Sequence, residues 1–356
     1  MNQKYFYILT GIVVFTIVLL SLTDDRVRNF KFSYVVNLDK SKENVEVWIP
    51  VPQSNKAQKI SKLKLESGVL DCELLNEKTH NNKYYYCKAS SINQPTKVVL
   101  TADVKRIEHG TLQYPEVNSK NYDKGTNNST VFEGSFFEDV ISSNDLNKNN
   151  MEGIYNYVLN GMHYGKPKKI SDNDQYYAGQ NPITNKEWLP NDIRYGIKKV
   201  SKEVVVSTYK KAKNDKTNYT FGNGNSKYAC DIGVGNCTDY HSYFMSIART
   251  LDVPSRFHMG FNVPNKQNED QGKIGGYHCW ADYYVDNEGW TPVDISEADK
   301  DPNKADYFFG NLDKNRVEFT VGRDLVLKGY NDPVNFFIYP LVKGTSFSKE
   351  FSYENL

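Results

Sequence analysis

One cysteine, one histidine and one aspartate carry the chemistry that this sequence offers most directly. Cys237 follows Gly235-Asn236 and opens the run Cys237-Thr238-Asp239-Tyr240-His241-Ser242-Tyr243-Phe244. Apolar side chains recur at Tyr240, Phe244, Ile247, Ala248 and Leu251, the spacing of a single buried helix face. The spacing predicts a helix with Asn236 as N-cap and Cys237 in its first turn, where the helix dipole is positive. A free thiol has a pKa of about 8.5, and a helix N-terminus with a neighbouring imidazolium brings it to roughly 3.5–7.5. Such a thiol is a standing nucleophile.

His278 lies in the strand-like run 277–285, and Asp294 closes the run 290–294. Between them Asp286-Asn287-Glu288-Gly289 reads as a hairpin turn, so imidazole and carboxylate sit on opposite arms as cross-strand or diagonal neighbours. In that arrangement Cys237 attacks a carbonyl, His278 carries protons, and Asp294 orients the ring.

Each residue also has a plainer reading. Cysteines on helix faces and histidines in strands are ordinary core residues. His241, four residues after Cys237 on the same helical face, is a rival base. Cys237, His241, His278 and Cys279 form a thiol and imidazole set of the kind zinc takes, yet successive strand residues point to opposite faces. The reading therefore assigns no metal and no cofactor. Trp280, two residues from His278, is either a wall of the substrate cleft or a sheet-core tryptophan. Arg256 and Asp282 read as a structural pair.

The elements that must position these groups follow from composition and pattern. The chain has 356 residues with 44 Lys+Arg against 43 Asp+Glu, so no basic excess points to nucleic acid. Residues 5–22 are uncharged, and about 18 residues is the lower limit for a bilayer span and slightly long for a signal core. Residues 1–27 are read as an N-terminal anchor, with a cleaved signal as the alternative. Either way the remainder is exported, to the extracytoplasmic side of the envelope. In that oxidising setting five cysteines suggest two disulfides and one free thiol. Cys72 and Cys87 flank a polar turn and can close a hairpin. Cys230 and Cys279 can staple the two motif regions together, and the alternative is four buried thiols.

Alternating apolar residues over 28–106 predict a small antiparallel β-sandwich. Residues 107–140 read as a connector rich in Asn, Ser, Thr, Gly and Lys, and 141–356 as an α+β catalytic domain. Within the latter, helices are expected over 151–163 and from Ile193 to about 213. Late strands are expected over 316–321, 324–327 and 335–342.

Four stretches together resemble the transglutaminase-like superfamily. They are Gly235-Asn236-Cys237-Thr238-Asp239-Tyr240-His241-Ser242, Leu251-Asp252-Val253-Pro254-Ser255-Arg256, Gly276-Tyr277-His278-Cys279-Trp280-Ala281 and Gly289-Trp290-Thr291-Pro292-Val293-Asp294. Residues 307–324 resemble a bacterial, exported branch in which a β-rich domain precedes the catalytic one. The resemblance implies a papain-like fold, with the nucleophile on a helix packed against an antiparallel sheet bearing His278 and Asp294. It implies acyl transfer through a Cys237 thioester on a protein or peptide carboxamide, by a cysteine protease or amidase or by a transglutaminase. The Cys237 N–H is then one oxyanion donor, and Tyr219 and Tyr228 are candidates by position for the second. Tyr228 and Trp280 are the substrate contacts this implies. The alternative function is a catalytically inactive binding or structural module of the envelope.

Overall fold

The computed structural model describes residues 25–125, 130–165, 168–169, 176–177, 221–266 and 269–356. The apolar segment 5–22, Tyr219 and the helix expected from Ile193 lie outside the described residues. No helix among the described residues is long and apolar enough to cross a membrane.

Strands β1 (Val27–Leu38), β2 (Val45–Val51), β3 (Gln58–Glu66), β4 (Asp71–Asn76), β5 (Lys83–Ala89) and β6 (Thr96–Ile107) come first. Helices α1 (Ser135–Ser143) and α2 (Met151–Gly161) follow, then β7 (His163–Tyr164), β8 (Lys168–Lys169) and β9 (Tyr176–Tyr177). Next come α3 (Ser226–Ile232), β10 (Val234–Gly235), α4 (Cys237–Thr250), β11 (Ser255–Asn262), β12 (Gln271–Ile274), β13 (His278–Val285) and β14 (Gly289–Val293). The chain ends with α5 (Ile295–Lys300), α6 (Ala305–Phe308), β15 (Arg316–Val321), β16 (Leu341–Lys343) and β17 (Phe347–Asn355).

The sandwich forms as the alternation requires. In β1, Phe30, Phe32, Tyr34, Val36 and Leu38 are all buried, and Val45, Val47, Ile49 and Val51 of β2 belong to the same core. Its two sheets run β12-β17-β1-β6-β3 and β16-β2-β5-β4. The first half of the chain does not complete them. The C-terminal strand β17 pairs along β1 from Phe30↔Asn355 to Leu38↔Phe347, and β12 adds to β17. Residues expected at the end of a separate catalytic domain are therefore part of the sandwich. Of the strands expected over 324–342, only β16 forms. Leu325, Leu327 and Phe337 instead cap Trp48, Tyr84 and Tyr86 on the outer side of the second sheet.

Cys72 and Cys87 face each other across β4 and β5 and are joined, with 2.00 Å between sulfurs. The expected Cys230–Cys279 staple is not made, and both are buried thiols outside any disulfide. Cys279 faces the start of α4, while Cys230 lies in α3 beside Tyr243.

The third sheet, β14-β13-β11-β15, is the platform for the site. Helix α4 packs across β13 and β11 on one face. The sandwich packs against the same sheet. Phe261 of β11 meets Phe32, Tyr34, Phe319 and Phe351 at ring-centroid distances of 4.5–6.5 Å. These rings come from β1, β15 and β17, so one apolar cluster welds both sheets into a common core. Phe261→Ala is expected to cost about 3–5 kcal/mol of unfolding free energy, read as a lowered urea midpoint. A midpoint unchanged from wild type rules out that role for the cluster.

Candidate active site

Local sequence fixes the nucleophile's position first. The Asn236 side chain accepts from the Thr238 N–H at 2.9 Å, and Asp239 Oδ2 accepts from the Asn236 N–H at 3.0 Å, a reciprocal capping box. Asp239 also takes the N–H groups of Gly222 (2.9 Å) and Gly224 (3.0 Å), tying the chain before α3 to the start of α4. Gly235 is required here by close approach, since a Cβ would lie 2.5 Å from that of Asp239. Helix α4 is buried all round from Cys237 to Arg249 rather than on one face, because α1, α2, α3 and α5 cover what the sheet leaves open.

The hairpin delivers the other two groups. Ala281 pairs with Val293, so one step further Asp294 comes opposite Trp280 and diagonal to His278. Asp294 leaves β14 as the N-cap of α5, its side chain accepting from the Glu297 N–H at 3.2 Å. His278 Nε2–H donates to Asp294 Oδ2 at 2.7 Å. Nδ1 is the ring nitrogen left for the Cys237 sulfur, and the two groups are close enough to shift each other's titration. Sulfur, imidazole and carboxylate are thus near neighbours. All three residues are buried, Cys237 being 1% exposed, His278 3% and Asp294 0%.

Burial alone would push the Cys237 thiol up. Hydrogen bonds from Cys279 and His278 and the charge of the imidazolium overturn this and hold the thiol well below its ordinary range. Burial likewise disfavours the His278 cation, but the Asp294 carboxylate and the Cys237 sulfur raise the ring to about 10. Asp294 is held far below the usual carboxylate range, against its burial, by His278 and Arg316. These directions favour a thiolate–imidazolium pair backed by a carboxylate.

His241, the rival base, has both ring nitrogens committed to the backbone. Nδ1–H donates to the Cys237 carbonyl at 2.7 Å, and Nε2 accepts from the Ile295 N–H at 3.1 Å. Burial lowers it to about 4, so it is a neutral strut between helix start and hairpin end. Cys279 sits 3.8 Å from Thr238 Oγ1 and 3.7 Å from His241 Nδ1, and burial together with the thiolate raises its own thiol well above the ordinary range. Cys279 faces Thr238 and His241 of α4, while His278 neighbours Trp280, as successive strand residues on opposite faces should, and both act on the Cys237 sulfur. Among the described residues no group of three His, Cys, Asp or Glu side chains is arranged to hold a metal ion.

Trp280 lies against the His278 ring. It is 2% exposed, stacked on His258 and placed between His278 and the cluster in which His258 bonds Glu318 (2.9 Å) and Arg256 pairs with Asp282. Tyr228 is fully buried inside α3 and presents no surface to a substrate. Sequence reasoning missed several neighbours. Tyr277 Oη bridges Asn236 and Thr238 at 3.1 Å each, and Glu297 Oε1 lies 3.9 Å from His278 Nδ1. Ser296 Oγ and Arg316 donate to Asp294. For Tyr277 and Ser296 the signal is adjacency to the motif residues; Arg316, a lone cation opening a later strand, offers none.

Residues 188–295 match the transglutaminase-like superfamily. An uncharacterized protein of Haemophilus influenzae is 31% identical over 171 residues, which take in 37% of this chain and 46% of that one. The match therefore spans about half the length of this curated relative. Among solved structures, a candidate cysteine protease from Cytophaga hutchinsonii has a TM-score of 0.53 at 12% identity, covering 93% of each chain. That likeness is one of fold. The periplasmic domain of TgpA from Pseudomonas aeruginosa, bound to ethylmercury, has a TM-score of 0.30 at 10% identity over 77% of this chain and 75% of that one, too slight to bear on the fold.

The depressed histidines set a pH dependence. His241 and His109, both lowered to about 4 by burial, refuse protons that the unfolded chain binds below about 6.5. At these two sites the unfolded state holds more protons in that window, so their contribution to stability rises with pH from about 4 to 6.5. His241→Gln is expected to remove on the order of 3 kcal/mol of this rise, measured by urea unfolding at pH 4.5, 5.5 and 6.5. An unaltered slope in the variant contradicts a neutral buried His241.

Proposed function

We propose that this chain, whose residues 188–295 match the transglutaminase-like superfamily, is a thiol-dependent acyl-transfer enzyme. More narrowly, we take it to be a cysteine protease or amidase acting on protein or peptide carboxamides outside the cytoplasm. The observation that supports this reading is the convergence of Cys237, His278 and Asp294, with the imidazole hydrogen-bonded to the carboxylate at 2.7 Å and near enough to the sulfur for each to shift the other's titration.

The chemistry follows from those contacts. The Cys237 thiolate adds to the substrate carbonyl carbon, and the oxygen takes the negative charge. The Cys237 N–H, in the first turn of α4 and without an intrahelical acceptor, is suited to stabilise that oxyanion. Imidazolium Nδ1–H protonates the leaving nitrogen, the C–N bond breaks, and a thioester remains with neutral His278. Water then adds with His278 as base, the thioester bond breaks, and the thiolate–imidazolium pair is restored with a free carboxylic acid. An amine in place of water gives transamidation by the same steps. Asp294 remains ionised throughout and keeps Nε2 occupied, so that Nδ1 serves the reacting atoms.

Export is supported by the apolar segment 5–22 and by the Cys72–Cys87 disulfide, which belongs to an oxidising compartment. Membrane anchoring through residues 5–22 is part of the proposal.

The test is a panel of Gln-, Asn- and peptide-bond substrates, assayed with and without an added primary amine. Wild type is expected to release amine or ammonia into water, and Cys237→Ser to lose about a thousandfold or more. Turnover only with the added amine identifies a cross-linker instead. Substrate-free support comes from iodoacetamide, whose rate on Cys237 is expected to reach half-maximum well below pH 8. His278→Ala is expected to return that midpoint to about 8.5 or above. An ordinary thiol midpoint in the wild type eliminates the reading.

A further inference from the structure

Asp294 has a second cationic partner that a Cys–His–Asp line does not require. Arg316 opens β15, which lies at the opposite edge of the sheet from β14. Its fully buried side chain passes Trp280, the guanidinium carbon 5.1 Å from the ring centroid, and brings Nη1 2.9 Å from Asp294 Oδ2. That oxygen is the one that also accepts from His278 Nε2–H. The far side of the guanidinium is anchored by Asp313, with Nε 3.4 Å from Oδ1 and Nη2 3.3 Å from Oδ2. We infer that Arg316 is a positioning residue of the acyl-transfer site, holding Asp294 ionised and aimed and limiting how tightly the carboxylate retains the His278 proton. The inference rests on the reading of Cys237, His278 and Asp294 given above.

Two physical arguments carry it. His278 alternates between cation and neutral ring during turnover. When it is neutral, Asp294 would be a fully buried carboxylate with no cationic partner, which is strongly unfavourable. Arg316 keeps the carboxylate paired in both states, so giving up the His278 proton does not strand a buried charge. The second argument concerns the proton itself. A carboxylate shared between two cations attracts each less than it would attract one. The His278 proton therefore stays available to the leaving nitrogen.

Other groups facing His278 are Cys237 and His241 from α4 and Glu297 from α5, while Cys279, Tyr164, Tyr277 and Asp239 surround the Cys237 sulfur. None of these is altered by substitution at Arg316. A change in the ring's behaviour in such variants reports on the guanidinium charge.

The test uses three variants of the full chain. Arg316→Gln can still donate an N–H but has no charge, Arg316→Lys keeps the charge, and Asp313→Asn removes the anion that compensates it. The readouts are the NMR titration of the His278 ring and the pH profile of Cys237 alkylation by iodoacetamide. With the cation gone, both imidazolium and thiol are harder to deprotonate. Arg316→Gln is expected to move both midpoints up by about one pH unit, and Arg316→Lys to restore them. Asp313→Asn is expected to move the His278 midpoint down, because the guanidinium charge is then less balanced. Unshifted midpoints in folded Arg316→Gln, or shifts of the same sign in the Gln and Asn variants, overturn the inference. If Arg316→Gln does not fold, an unshifted Asp313→Asn overturns it alone, since Asp313 is partly exposed. An ordinary thiol midpoint in the wild type is the separate failure of the site reading itself.

Discussion

A carboxylate with no access to water organises this molecule. Asp294 is fully buried and ionised, a state tolerable only when its oxygens are occupied by donors. Oδ2 takes His278 Nε2–H and Arg316 Nη1–H, and Oδ1 takes the Ser296 hydroxyl and the Glu297 N–H. Those donors come from β13, β15 and the first turn of α5. Satisfying one side chain therefore aligns a sheet edge, a strand from the opposite edge and a helix start. The orientation of the imidazole, and with it the free nitrogen presented to sulfur, follows from that requirement.

The same logic runs through the helix that holds the sulfur. Burying α4 on every side excludes water from the thiolate but strands polar groups. Those nearest the sulfur are answered locally, Asp239 by three backbone N–H groups and His241 by one carbonyl and one amide. His241 is informative because its two bonds join the Cys237 carbonyl to the Ile295 amide. A neutral ring thereby couples the nucleophile's helix to the end of the hairpin without competing for the thiolate. Beneath this layer Trp280 separates the His278 side from the His258–Glu318 and Arg256–Asp282 ion pairs, a spacer rather than a surface.

The sandwich belongs to the same mechanical unit. Its first sheet ends in β17 and β12, segments far along the chain, and its aromatic rings interleave with those of β11 and β15. The sheet under the site is thus backed by a rigid apolar layer. A boundary near residue 106 is visible as a change of composition, yet the fold crosses it again through the last strands. Strand pairing over such distance leaves no local mark, because β17 reads like any alternating run until β1 is beside it.

What the sequence determined by itself is whatever depends on neighbours along the chain. Asn236 three residues before Asp239 makes a helix cap, Phe30 to Leu38 alternates as a strand, and Asn287 and Gly289 supply the positive φ angles the hairpin turn needs. The hairpin by itself brings His278 and Asp294 within reach of each other. Tertiary structure alone decided what lies across space. It chose the diagonal over the cross-strand pairing, left Cys230 and Cys279 unbridged, committed both nitrogens of His241, buried Tyr228 and Trp280, and brought Arg316 under the tryptophan to the carboxylate. The physical reason is range. Capping, alternation and turn chemistry act over a few residues, whereas the partner of a buried charge is selected by which strands lie side by side.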